Sequence, residues 1–115
     1  FVISGSLVTS VPGSSTRLYG PAQPSTSAAT VYTVPTGRSV RLESIHVANT
    51  TGSAATITAS IGVDAAATRW LAGKSVAAND ILHQDLDIVA TSAEIIQMLQ
   101  GTGSALTVVL NGSLL

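Results

Sequence analysis

The sequence predicts an all-β fold: an antiparallel β-sandwich, jelly-roll-like, of about seven or eight strands, with an extended N-terminal arm. Three observations predict it. Apolar and polar residues alternate strictly from Ala55 to Asp64, the period of a half-buried strand. Turn signals (Pro35-Thr36-Gly37, Thr51-Gly52-Ser53, Ala90-Thr91-Ser92, Gly101-Thr102-Gly103) separate β-rich runs at intervals of about 8 to 12 residues. Finally, the Ala-rich stretches near Ala65 and Ala93 lie among Gly and β-branched neighbours, which limits any helix there to a single turn.

Residues 1–29 read as the arm, and 30–115 as the sandwich domain. The arm holds Pro12, Pro21 and Pro24, many Ser and Thr, and one charge, Arg17. It lacks the apolar content for a core of its own. Stretched out it spans roughly 95 Å at about 3.3 Å per residue. It is either a flexible tail or an arm that orders against neighbouring subunits, with Phe1, Val2, Ile3, Leu7, Leu18 and Tyr19 as its natural anchors.

Val31 to Val34 is a short strand closed by Pro35-Thr36-Gly37, where Pro presets φ and Gly permits positive φ. Arg38 to Asn49 is a long strand whose apolar phase shifts from Val40 and Leu42 to Ile45 and Val47. A β-bulge near Glu43–Ser44 restores one buried face; burial of both faces is the other reading. Ala55 to Asp64 follows, with Ile57, Ala59, Ile61 and Val63 on one face. After Arg69-Trp70-Leu71 a loop runs to Asp80. Strands are then expected over Ile81–Val89, Glu94–Gln100 and Leu106–Leu110, with Asn111-Gly112 starting a final tight turn.

Composition narrows the function. The 115 residues carry 10% charged side chains and a net charge of −1. Such a chain has no basic patch to neutralise a row of phosphates, so nucleic acid is not an expected partner. No apolar run approaches the roughly 20 residues of a membrane-spanning helix, and the opening FVISGSLV has no positive flank and makes a poor signal peptide. The absence of cysteine removes disulfides, thiolate catalysis and cysteine-based zinc sites. A charge-poor, apolar-rich surface points to permanent assembly with partners.

Site chemistry is sparse. His83 and Asp85 align on one strand face, two ligands where a metal wants three or four. His46 is the other histidine. The serines have no G-x-S-x-G elbow, and the carboxylates Glu43, Asp64, Asp80, Asp85, Asp87 and Glu94 are scattered. Gly101-Thr102-Gly103 lacks the third glycine of a dinucleotide fingerprint and precedes a strand. Asn49-Thr50-Thr51 and Asn111-Gly112-Ser113 match glycosylation sequons at positions where turns are expected. Trp70 reads as a core or interface anchor. No enzyme, cofactor or metal is expected; the catalytic reading requires a pocket holding His46 and His83 together.

The runs YTVPTGRSVRLESIHVANTTGSAATITASIG, LAGKSVAAND and SAEIIQMLQGTGSALTVVLNG resemble a group of small bacteriophage virion structural proteins. That group pairs a YTVPAG turn with a long strand ending V-x-N-T-x-G, then adds a module of the form L…I-P-A-N…L followed by L-x-A-G-D-x-I. Tyr32–Gly37, Ile45–Gly52 and Lys74–Leu82 carry the resemblance, which covers about residues 19 to 112. Two departures stand out: Ala77 replaces the usual Pro, and Ala90-Thr91-Ser92-Ala93-Glu94 replaces a small-Gly-Asp turn. The resemblance implies a non-enzymatic virion component assembled in the bacterial host cytoplasm. It implies a capsid decoration or cement protein first, and a tail, neck or fibre accessory protein as the alternative. The implied partners are the major capsid protein or other virion proteins and further copies of the chain, as a homo-oligomer with a trimer favoured. A carbohydrate-binding module is the reading from another class, and it requires an exposed aromatic patch around Trp70.

Overall fold

The computed structural model describes residues 15–115, which form eight antiparallel strands and no helix. The strands are β1 (Ser15–Ala22), β2 (Ala29–Thr33), β3 (Val40–Asn49), β4 (Ala55–Ile61), β5 (Arg69–Val76), β6 (Ile81–Ala90), β7 (Ile95–Gln100) and β8 (Leu106–Leu114). They build two four-stranded sheets, ordered β1-β8-β3-β6 and β2-β7-β4-β5. Within these sheets β1 lies beside β8, β2 beside β7, β3 beside β6 and β4 beside β5. The chain is therefore one long hairpin, folded back at the β4–β5 loop and rolled so that successive strands cross between the sheets. That wrapping is a jelly roll.

Alternation places the core between the sheets. Val40, Leu42, Ile45, Val47, Val108 and Leu110 face Ile57, Ala59, Ile96 and Met98, and all of these are buried. The phase shift in β3 is a bulge: its register against both β6 and β8 slips between Leu42 and Ser44. Glu43 and Ser44 are the two adjacent half-buried residues there. The bulged pair is the means by which a ten-residue strand keeps its apolar side inward while it bends.

Several expectations need correction. Ser15–Ala22, read as part of the arm, is β1 and pairs with β8, so the sandwich begins by residue 15. Its apolar content is too low to announce a strand; it is held by backbone pairing to the edge of β8 and by Leu18 and Tyr19 packing on the core. Gly20, at φ +86°, lies where a Cβ would sit 1.9 Å from the Val108 carbonyl oxygen, so only glycine lets β1 approach β8. The stretch from Ala72 to Val76 is the continuation of β5, kinked at Gly73 (φ +58°), and the expected loop is confined to residues 77–80. Asn111-Gly112 lies inside β8 and makes no turn. A Cβ on Gly112 would come within 2.4 Å of the Arg41 carbonyl oxygen, so this glycine serves close strand approach. Val63 lies beyond the end of β4 and is 73% exposed, off the buried face assigned to it.

Candidate interaction surface

Two buried amides, Asn49 and Gln100, and two half-buried carboxylates, Glu43 and Asp64, hold the loops in place. Asn49, the inward residue after Ile45 and Val47, is buried in strand β3. Its Nδ2 donates to the carbonyls of Ser53 (2.8 Å) and Val76 (3.0 Å). Its Oδ1 accepts from the Thr51 amide (2.9 Å) and the Thr51 hydroxyl (2.8 Å). The Asn-Thr-x-Gly segment is thus a turn stapled to the end of β5. With both amide hydrogens engaged inside the protein, Asn49 is not presented as a glycan acceptor.

Gln100, the last residue of β7, does the same for the turn that follows it. Its Nε2 donates to the Pro24 carbonyl, and its Oε1 accepts from the amides of Ala105 (3.2 Å) and Leu106 (2.9 Å). One buried side chain therefore fixes both the Gly101–Ser104 turn and the segment that follows β1. Glu43, at the bulge, accepts from the hydroxyls of Ser113 and Ser15. Those bonds, Ser113 first, hold its carboxyl below the usual range.

The loop at the hairpin tip, between β4 and β5, is tied by Asp64. The Arg69 guanidinium meets both of its carboxylate oxygens at 3.0 Å, and the Ser60 hydroxyl donates to Oδ1 at 2.6 Å. These bonds, the Arg69 fork largest, bring the Asp64 carboxyl down to about 2. Gln97 of β7 accepts from the Asp64 amide at 2.9 Å. The tip is therefore a fixed platform, and Val63 stands on it.

The outer face of the β1-β8-β3-β6 sheet carries the remaining side chains that sequence reasoning singled out. His46 and His83 are direct cross-strand partners with ring centroids 5.9 Å apart. His83 Nε2 lies 3.3 Å from Asp85 Oδ1 on the same strand, and Arg41 Nε lies 3.3 Å from Asp87 Oδ1. The register of β3 against β6, invisible in the sequence, is what brings the two histidines together. They meet on an open sheet face, with no cavity among the described residues. Nor does any group of three or more His, Asp or Glu among those residues suit a metal ion. Exposed ion pairs of this kind contribute little to stability.

Of the residues named as partner contacts, Phe1, Val2, Ile3 and Leu7 lie outside the described residues. Leu18 and Tyr19 on β1 and Trp70 on β5 are half-buried and pack against the core. Trp70 Nε1 is shut from solvent without an acceptor, so its indole is oriented for packing and presents no donor to a ligand. Tyr32 likewise packs on the core. Among the described residues, the large apolar side chains that are exposed are Val63, Ile81 (57% exposed), Val89 (46%) and Leu115 (40%). Ile81 and Val89 stand at the two ends of β6.

Asn49 and Gln100 were not marked in the sequence as structural locks. The signal was present: each is a lone amide at an inward position of an otherwise apolar alternation. Compared with protein-family models, curated proteins and solved structures, the chain matches none of them.

Proposed function

We infer that this protein is a non-enzymatic structural component of a bacteriophage virion, a capsid decoration or cement protein that works as a homo-oligomer. The observation that carries the reading is the resemblance of Tyr32–Gly37, Ile45–Gly52 and Lys74–Leu82 to virion modules of that kind. The roles of those residues agree with it: Asn49 and Thr51 staple a loop, and nothing in the three segments converges on a reactive centre. A surface with few charges, solvent-facing Val63, Ile81 and Val89, and tightly tied loops suits repeated contact with neighbouring proteins. Avidity over many symmetric copies lets each contact be modest.

The half-burial of Trp70, Tyr19 and Tyr32 speaks against the carbohydrate-binding reading, because stacking on a sugar needs an open aromatic face. The tail, neck or fibre reading shares the same module and is separated by location alone.

Gold-labelled antibody against this protein, applied to intact particles of the phage that encodes it, tests the proposal. Regular labelling over the head is the expected result. Labelling confined to the neck or tail selects the accessory reading, and particles free of the protein overturn both. Removal of residues 1–14, which leaves β1 intact, is expected to reduce occupancy on the head while the thermal transition of the sandwich persists. Undiminished occupancy removes the arm from the mechanism.

A further inference from the structure

Four strands end the two sheets, and they are not equally guarded. β1 carries Pro21 and two register shifts, β2 has only five residues, and β5 is broken by two shifts and the Gly73 kink. Proline, shortness and bulges are the devices that keep an edge from recruiting another chain. β6 is ten residues long; its one register shift against β3 falls between Asp85 and Ile88, and from Ile81 to Asp85 it pairs regularly. No strand among the described residues occupies its outer side.

The direction of its backbone groups follows from one bond. The Asn49 amide donates to the Asp80 carbonyl at 2.9 Å, so residue 80 faces β3. Backbone groups alternate along a strand; residues 82 and 84 therefore face β3, while 81, 83 and 85 face the open edge. Asp80 Oδ1 caps the Ile81 amide at 2.8 Å, which leaves His83 and Asp85 as the free pairing positions.

We propose that β6 is a two-fold contact with a second copy of this chain, antiparallel and centred on Gln84, joining the two β1-β8-β3-β6 sheets into one. This register sets His83 opposite Asp85 of the other copy, twice by symmetry, in hydrogen-bonded pairs. On the outer face the imidazole of one copy donates to the carboxylate of its mate. On the core side Leu82 meets Leu86 of the other copy in the closer, non-hydrogen-bonded pairs; both leucines are half-buried and already pack on the core. Sliding the pairing by one step in either direction destroys this match. One slide sets Asp85 against Asp85, like charges directly opposite, and the other sets His83 against His83, which leaves both carboxylates without an imidazole donor. The contact joins copies two by two, whereas the resemblance favours a trimer, and it does not depend on the virion reading.

The chain has no cysteine, so Gln84→Cys in the full protein is a clean probe. Across a non-hydrogen-bonded antiparallel pair the two Cα atoms stand about 4.5 Å apart, within disulfide range. Under mild oxidation Gln84→Cys is expected to give a disulfide dimer on a non-reducing gel, roughly tenfold or more faster than Asp87→Cys. Sedimentation should show His83→Asp weakening self-association by roughly tenfold or more, with the double variant His83→Asp/Asp85→Lys restoring it through the exchanged charges. All of these side chains are exposed on β6, and an unchanged thermal transition verifies the fold of each variant. Equal oxidation rates at positions 84 and 87, a monomer at all concentrations, or failure of the double variant to recover association overturns the proposal.

Discussion

Replacing Asn49 by Ala strikes the most heavily bonded side chain of the sandwich. Four hydrogen bonds go with it, two donated to Ser53 and Val76 and two accepted from Thr51. The Thr51 groups and the Ser53 carbonyl lie toward solvent, where water replaces the lost partner at a cost of about 0.5–1 kcal/mol for each site. The Val76 carbonyl is different, because Val76 is buried and its oxygen stays dry; an unsatisfied buried acceptor costs about 1–3 kcal/mol. The sum is about 2.5–6 kcal/mol, a large share of the roughly 5–15 kcal/mol that stabilises a domain. At about 4–5 °C per kcal/mol for a chain of this size, the melting temperature should fall by roughly 10–30 °C. Urea titration and calorimetry on the same preparation measure both quantities. Thr51→Ala removes only the bonds on the solvent side and should cost about 1 kcal/mol. A loss below about 1 kcal/mol for Asn49→Ala, or parity with Thr51→Ala, would refute the idea that the dry Val76 carbonyl dominates.

Ala93 sits at φ +65° in the turn before β7, a left-handed conformation that costs an L-residue about 1 kcal/mol. Ala93→Gly should therefore raise stability by about 0.5–1 kcal/mol in urea titration, against the ordinary penalty for glycine. Trp70→Phe discards the unpartnered indole N–H and keeps most of the packing, so thermal melts should show a change under about 1 kcal/mol, while Trp70→Ala costs about 3–5 kcal/mol. Gly20→Ala forces a methyl onto the Val108 carbonyl, and hydrogen exchange should show β1 opening from β8 before the rest of the sandwich unfolds. Asp64 titrates near 2 in the folded chain against an ordinary 3.8. Its ion pair therefore stabilises in full above the ordinary value and is lost as pH falls from there toward 2. Urea midpoints of wild type and Asp64→Asn should differ by a constant amount at neutral pH and converge below pH 3.8.

The class of fold was legible in the sequence because strand alternation and turn chemistry are local. Ile57 and Ala59 announce a buried face by their spacing, and Pro35 with Gly37 announces a turn by φ alone. The Glu43–Ser44 bulge was legible for the same reason: a phase shift in an apolar pattern has few other solutions. Asn49 and Gln100 were written there too, as amides on inward positions, but their partners Val76 and Pro24 are 27 and 76 residues away.

What tertiary structure alone decided is pairing. β1 is too polar to declare itself and exists because β8 offers it an edge, with Gly20 permitting the approach. Asn111-Gly112 has the composition of a turn, yet lies within a strand because β3 presses Arg41 against it. His46 and His83 are 37 positions apart in the chain and become neighbours only through the β3–β6 register. The sequence by itself determined that this chain is a charge-poor β-sandwich, since hydrophobic periodicity and turn residues act within a few positions of themselves. Which edges are closed, which side chains meet, and that β6 is the long edge free among the described residues were decided by long-range strand register, which no local pattern encodes.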